Sequence, residues 1–262
     1  MQVWQAIILG AVQGFAEFLP VSSSGHLIIM QRWLGVQEGG LFFDIMLHIG
    51  TLIPVFIVFF KEIISVFKKP FNKLWYLVIA TIPAALTGVL LGDIVEGAFY
   101  GGNLLSACLL AGTFLLTAIE LFVAEHVSKK YKKSLPLSYK NSAIMGLAQG
   151  VAIVPGLSRS GTVISSGCFC GVERSENANF TFLMSIPVIL GAAVVSGYKV
   201  IKNGAVVEVW PLVFGVLTAM VTGYIAIKVM LKLIKKANYK WFSLYLVIMA
   251  ISSVVSMVAF GV

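Results

Sequence analysis

The sequence predicts an all-α integral membrane protein: six transmembrane helices plus two re-entrant helix-loop-helix hairpins, arranged as an inverted-topology repeat. Three observations lead there. The first is composition. Of 262 residues, 59% are hydrophobic and 11% charged, against about 45–50% and about 25% in soluble domains, and the mean hydropathy is +0.96. A water-soluble fold of this size still exposes roughly a quarter of its unfolded-chain surface, so it could not hide this much apolar area. The second is the length of the apolar runs. They extend over about 20 residues, which matches a helix crossing about 30 Å of hydrocarbon, and they lack the alternation of barrel strands. The third is that two further segments are broken in their middles and resemble each other. A soluble enzyme, a nucleic-acid binder and a disordered chain are thereby excluded. The formal net charge of +8 reads as lysine-rich loops on one membrane side, with no nucleic-acid partner.

The six spans fall at 41–60, 75–92, 103–123, 178–198, 211–231 and 241–261. The two broken segments are 2–34 and 141–173. In the first, Gln2–Leu19 reads as a helix, Pro20–Gly25 as a break and His26–Leu34 as a second helix. In the second, Asn141–Val154 is followed by the break Pro155–Gly161 and by Thr162–Gly171. Irregular backbone at membrane depth survives only where protein or a water-filled cavity surrounds it, so both segments are expected to turn back as re-entrant hairpins.

Lysine placement agrees with that expectation. If the hairpins return and the six spans cross, the loops 61–73, 126–140 and 228–240 share one side. They carry Lys61, Lys68, Lys69 and Lys73, then Lys129, Lys130, Lys132, Lys133 and Lys140, then Lys228, Lys232, Lys235, Lys236 and Lys240. Arg32, Lys199, Lys202, Asp93, Glu96 and Glu208 lie opposite. The positive-inside rule makes the lysine-rich side cytoplasmic and puts both termini outside. The N-terminus has no basic leader with a small-residue cleavage site, so the first apolar segment is expected to be retained.

Shifting the chain by 136 residues lays Ile8–Ile28 over Ile144–Ile164. Identities include Gly10/Gly146, Gln13/Gln149, Gly14/Gly150, Ser22/Ser158, Ser24/Ser160 and Gly25/Gly161. Two repeats, 1–136 and 137–262, would each hold one hairpin and three crossings. An odd number of crossings makes them antiparallel, so the broken tips should meet near the midplane, where inverted-repeat proteins place their sites.

The tips differ in chemistry. In the repeat alignment Ser23 faces Arg159, His26 faces Thr162 and Glu17 faces Ile153. Gln13 and Glu17 are four apart and share a helix face. A charge at mid-membrane costs about 2.5–3.5 kcal/mol even on the lenient insertion scale, so such residues are functional or paired; a structural Glu17–Arg159 ion pair is the plain alternative. Ser22, Ser23 and Ser24, before Gly25 and His26, read as a serine-capped helix N-terminus, which is an anion site. Ser158, Arg159, Ser160, Gly161 and Thr162 repeat the device with a guanidinium that can grip phosphate oxygens in a bidentate fork. Simple capping and close helix packing would account for either serine cluster alone. Together the two ends would hold a diphosphate. His26 reads as a nucleophile or proton carrier, His48 as a packing residue and His126 as a solvated loop residue. Glu17 would activate His26 or, with Gln13 and phosphate, bind a divalent cation through oxygen. Cys108 reads as packing, and Cys168 and Cys170 lack metal-ligand spacing.

The string Glu17-Phe-Leu-Pro-Val-Ser-Ser-Ser-Gly-His26, the Gln-x-x-x-Glu that leads into it, Pro155-Gly-Leu-Ser-Arg-Ser-Gly-Thr162 and Gly171-Val-Glu-Arg174 through Pro187 resemble the undecaprenyl-diphosphate phosphatase, or bacitracin-resistance protein, family. The resemblance runs over essentially the whole chain. It implies hydrolysis of the C55 lipid carrier diphosphate to its monophosphate and phosphate in the bacterial plasma membrane, with the site open to the outer face. It makes Ser23 and His26 the nucleophile and proton-transfer pair, Glu17 and Gln13 their helpers or metal ligands, and Arg159, Ser158, Ser160 and Thr162 the phosphate binders. It also implies magnesium or calcium. The family's first motif admits Glu where this chain has Gln13, so an acidic pair is not available here. A homodimer is a further expectation. The expected chemistry is attack by Ser23 with His26 as base, with phosphorylation of His26 second. Another membrane phosphatase family has a proline-serine-glycine-histidine motif and a histidine six residues after an arginine; the position six after Arg159 is Ser165. The competing class is a transporter or flippase of a polyprenyl phosphate lipid using the same cavity.

Overall fold

The computed structural model describes residues 1–36, 40–100, 102–130, 134–203, 208–234 and 238–260. Lys132, Lys133, Lys235 and Lys236, four of the lysines assigned to the cytoplasmic side, lie outside the described residues. The chain is helical: α1 Val3–Phe18, α2 Ser23–Trp33, α3 Gly40–Val58, α4 Phe60–Val66, α5 Asn72–Phe99, α6 Leu104–Ser128, α7 Tyr139–Val151, α8 Arg159–Phe169, α9 Arg174–Asn203, α10 Val209–Ile234 and α11 Lys240–Phe260. Among the described residues, the sole β-type pairing outside helices is an isolated bridge between Leu135 and Val172.

Five of these helices, α5, α6, α9, α10 and α11, are long and apolar enough to cross a membrane, and α3 with α4 adds a sixth if the bent pair counts as one span. The bend between them is 84°. The sequence treats 61–73 as a loop; instead α4 fills its start, with Phe60 and Ile64 exposed beside Lys61. The outward faces carry the excess apolar surface. Val89 is 75% exposed and Leu90 71%, which in lipid needs no protein cover. Cys108, expected to pack, is also exposed, while Ala107 and Leu110 on either side are fully buried.

The interior is built from close helix contacts and an aromatic knot. Helix α1 lies along α10, and α7 lies along α5; α3 packs on α10 and α9, α8 on α6, and α11 on α6. Small residues permit the approach. A methyl added at Gly14 would lie 2.6 Å from the Ala219 carbonyl oxygen, and one at Gly146 would lie 2.6 Å from Ala80 Cα. Phe182 packs edge-on to Phe18, 5.7 Å between ring centres, and meets Phe59 at 5.5 Å.

Helices α1 and α2 are joined by the short break 19–22, and α7 and α8 by 152–158. The second helix of each pair starts three residues earlier than the sequence suggests, because the serines and Arg159 belong to first turns rather than to the breaks. Ser22 Oγ accepts from Gly25 N–H at 3.3 Å and Ser158 Oγ accepts from Gly161 N–H at 3.1 Å. Each cap satisfies one orphan donor of its helix.

Candidate active site

The two broken segments touch, each break against the first turn of the other segment's second helix. A methyl at Gly25 would stand 2.9 Å from Gly156 Cα and 2.6 Å from the Phe114 ring, so only the absence of a side chain lets the chains meet there. Gly156 has φ +83°, a backbone region that glycine enters without penalty. Ser160 Oγ donates to the Leu19 carbonyl at 3.2 Å. Arg159 reaches across and pairs with Oε1 of Glu17.

Glu17 is the centre of the arrangement. It is 5% exposed, and Gln13, one turn before it, is fully buried. Ser23 Oγ donates to Glu17 Oε2 at 2.7 Å, and Gln13 Nε2 donates to the same oxygen at 3.0 Å. His48 Nδ1 stands 2.9 Å from it. Thus one carboxylate oxygen faces a cation and the other faces a hydroxyl, an amide and an imidazole. The plain ion pair considered from the sequence is present, yet it leaves capacity unused. Arg159 Nη1 and Gln13 Oε1 are buried and make no hydrogen bond among the described residues. A buried unpaired polar atom costs about 1–3 kcal/mol, so two such atoms beside one carboxylate mark a place where a polar ligand would relieve the cost.

The helix ends add donors. No hydrogen bond to the N–H groups of Ser23, Ser24, Arg159 or Ser160 occurs among the described residues, as expected for first turns. Ser22 Oγ lies 3.4 Å from Ser24 Oγ, and Ser158 Oγ lies 3.4 Å from Ser160 Oγ, the same relation at equivalent positions. Gly161 is held against Thr117, whose Oγ1 accepts from Ser158 N–H at 3.0 Å.

The structure does not bring His26 to Ser23. His26 Nδ1 lies 2.7 Å from the Ser22 carbonyl oxygen, and Nε2 lies 2.6 Å from the Tyr245 hydroxyl. With a carbonyl as its partner, Nδ1 carries the proton and Nε2 accepts from Tyr245. The imidazole stacks on the Tyr245 ring and meets Phe114 edge-on. Ser22 has φ +69°, a conformation that costs a residue with a side chain about 1–3 kcal/mol, and the His26 bond fixes that carbonyl. Thr162 also turns away from the cluster, donating to Glu120 Oε2 at 2.7 Å. Sequence reasoning missed His48, Tyr245, Glu120 and Phe114, because each reaches the tips from a distant helix. His126 is exposed at the end of α6, with Nδ1 2.7 Å from the Phe122 carbonyl.

A divalent cation, implied by the family resemblance, can be tested against this donor set. The Gln13 amide oxygen is orphaned and buried, and Glu17 lies one turn away. Magnesium usually takes one or two carboxylate-type oxygens with substrate phosphates and water. The two oxygens fit that minimal role. Among the described residues no group of three His, Cys, Asp or Glu gathers to form an all-protein cage.

Comparison with known proteins places the chain. A family model described as "Bacitracin resistance protein BacA" matches residues 6–252. The undecaprenyl-diphosphatase of Carboxydothermus hydrogenoformans is 40% identical over 259 residues, covering 97% of each chain. The undecaprenyl-diphosphatase of Methanobrevibacter smithii is 41% identical over 266 residues, covering 94% of each, and that of Thermodesulfovibrio yellowstonii is 38% identical over 250 residues, covering 92% of this chain and 94% of the relative. With a full-length match of this kind and the motif residues gathered at one place, the chain belongs to the BacA bacitracin resistance protein family.

Proposed function

We propose that the chain is a multi-pass membrane phosphatase that hydrolyses undecaprenyl diphosphate to undecaprenyl phosphate and inorganic phosphate, recycling the lipid carrier of cell-wall synthesis. The relatives named undecaprenyl-diphosphatase support the substrate. The observation that carries the chemistry is the contact of Ser23 Oγ with Glu17 Oε2 at 2.7 Å, made while Arg159 from the other hairpin holds the opposite oxygen.

In this reading Ser23 Oγ attacks the terminal phosphorus, and Glu17 takes its proton. A hydroxyl is a weak nucleophile without an adjacent base, and Glu17, rather than His26, stands against it. The bond from phosphorus to the bridging oxygen breaks, and undecaprenyl phosphate leaves with that oxygen. Water then attacks the phosphoserine, the bond from phosphorus to Ser23 Oγ breaks as Glu17 returns its proton to that oxygen, and inorganic phosphate departs carrying the water's oxygen and protons. Phosphoryl transfer depends mainly on positioning and charge stabilisation. Arg159 Nη1, with the N–H groups of Ser23, Ser24 and Ser160, supplies that stabilisation, and Ser22 and Ser158 hold the two helix ends in shape. His26 fixes the strained Ser22 tip, and Gln13 aligns Glu17. A divalent cation bound by Gln13 Oε1, Glu17 and the diphosphate would offset the substrate's negative charge.

The topology belongs to the same proposal. Helices α1–α2 and α7–α8 are re-entrant hairpins of two inverted repeats, 1–136 and 137–262, with both termini outside and the site open to the outer face. The packing supports this: α1 lies on α10 as α7 lies on α5, and the aligned glycines Gly10 and Gly146 make backbone contacts of the same kind, with Gly215 and Ala80 respectively. Phosphate released from a polyprenyl diphosphate by the purified protein in detergent tests the function. Lipid movement across vesicles without phosphate release would favour a carrier and reject hydrolysis.

A further inference from the structure

His48 lies outside both hairpins, on α3, yet touches the centre of the site. Its Nδ1 is 2.9 Å from Glu17 Oε2; Gln13 Nε2, 2.8 Å away, can only donate, so with the proton on Nδ1 the two N–H groups converge on Oε2 and share it rather than bonding to each other. The side chain is 21% exposed, and Thr51 Oγ1 donates to the His48 carbonyl at 2.7 Å, anchoring the turn that presents the ring. One turn earlier, Asp44 is occupied by Gln31 at 2.6 Å and by Tyr100 at 3.1 Å.

We propose that His48 is a positioning residue for the hydrolysis: its Nδ1–H holds Glu17 Oε2 against Ser23 and keeps the carboxylate from closing on Arg159 with both oxygens. The inference rests on the phosphatase reading above. An arginine and a carboxylate left to themselves favour the bidentate fork, two parallel N–H···O bonds. Here the fork is not made. Arg159 touches Oε1, its Nη1 is left unpaired, and Oε2 is drawn aside by Ser23, Gln13 and His48. Of those three, Ser23 must lose its proton in the reaction, and Gln13 comes from the helix of Glu17 itself. His48 is therefore the external donor that fixes the carboxylate from a separate helix. Without it, Oε2 swings towards the guanidinium. The collapsed pair would remove the base from Ser23 and consume the arginine nitrogen that awaits a phosphate oxygen.

The test uses phosphate release from a C55 diphosphate by the purified full chain, comparing wild type, His48→Leu and His48→Asn. Leucine fills space without a donor, whereas the asparagine amide places an N–H near the Nδ1 position. The expected result is a fall in kcat/KM of about 10- to 100-fold for His48→Leu, the size of one hydrogen bond to a charged group, with recovery to within about threefold of wild type for His48→Asn. In an Arg159→Lys background, where no fork can form, the leucine change should cost less than about threefold, a coupling that a packing role would not produce. If His48→Leu does not fold, His48→Met takes its place with the same expectations. Wild-type rates in the leucine variant, equal losses in leucine and asparagine, or additivity with Arg159→Lys would overturn the role of His48 alone. No phosphate release by the wild type would overturn the reading beneath it.

Discussion

At the scale of single residues, the site depends on how one buried carboxylate is shared. Glu17 accepts from Ser23 on one oxygen and pairs with Arg159 on the other, so either partner can be changed while the other stays. Arg159→Lys keeps the charge and loses the planar fork. It should lower kcat/KM about 10- to 100-fold, an outcome near-normal turnover would contradict. His26 makes a different prediction. Both its nitrogens are engaged, with the Ser22 carbonyl and the Tyr245 hydroxyl, so in the proposed mechanism it serves the tip and not the proton transfer. His26→Asn, which keeps a donor near Nδ1, should be more active than His26→Ala, and labelled phosphate should never be recovered on His26. Recovery of phosphohistidine from rapidly quenched enzyme would reverse that assignment. These partners show where local sequence stops being informative. Gln13 with Glu17, and Ser22 with Gly25, interact within one turn and can be read from spacing. His48 and Tyr245 lie on α3 and α11, and no spacing relates them to the tips.

At the scale of elements, hydropathy was enough to find the long helices, because a segment that must satisfy its backbone in lipid has few other choices. The Pro, Gly and Ser clusters were enough to find the two breaks, although Ser23 and Arg159 open the following helices. The bend into α4 was not legible: Phe60–Val66 mixes Lys61 and Glu62 with apolar residues, which reads as loop. Helix contact here depends on backbone approach at glycines. A methyl at Gly146 would lie 2.6 Å from Ala80 Cα and 2.8 Å from its oxygen, and neither is a flexible side-chain end. Gly146→Ala should destabilise the protein by about 1–3 kcal/mol, the usual cost of overpacking, and lower its melting temperature in detergent. The same change at Gly112, which has open space around the added methyl, should leave that temperature nearly unchanged. Equal shifts at both positions would contradict the α5–α7 contact.

At the scale of the whole molecule, the account requires two hairpins entering from opposite sides, each contributing what the other lacks: base and hydroxyl from one, guanidinium from the other. Glu17 and Arg159 are 142 residues apart and meet only if the broken segments face each other. The repeat in the sequence made that meeting expected, but it said nothing of which atoms would touch. The topology predicts that a lone cysteine replacing Gln2, in a background freed of Cys108, Cys168 and Cys170, reacts with a membrane-impermeant thiol reagent added outside intact cells. One replacing Lys130 should react only after lysis, and the reverse pattern would invert the proposed orientation.

The most direct measurement is the release of inorganic phosphate from a C55 diphosphate by the purified wild type beside Ser23→Ala, with both shown to be folded by their melting temperatures. The account predicts steady release by the wild type and a loss of about a thousandfold or more in the variant, since a missing nucleophile leaves little but binding and charge stabilisation. Turnover of Ser23→Ala within tenfold of wild type would contradict it.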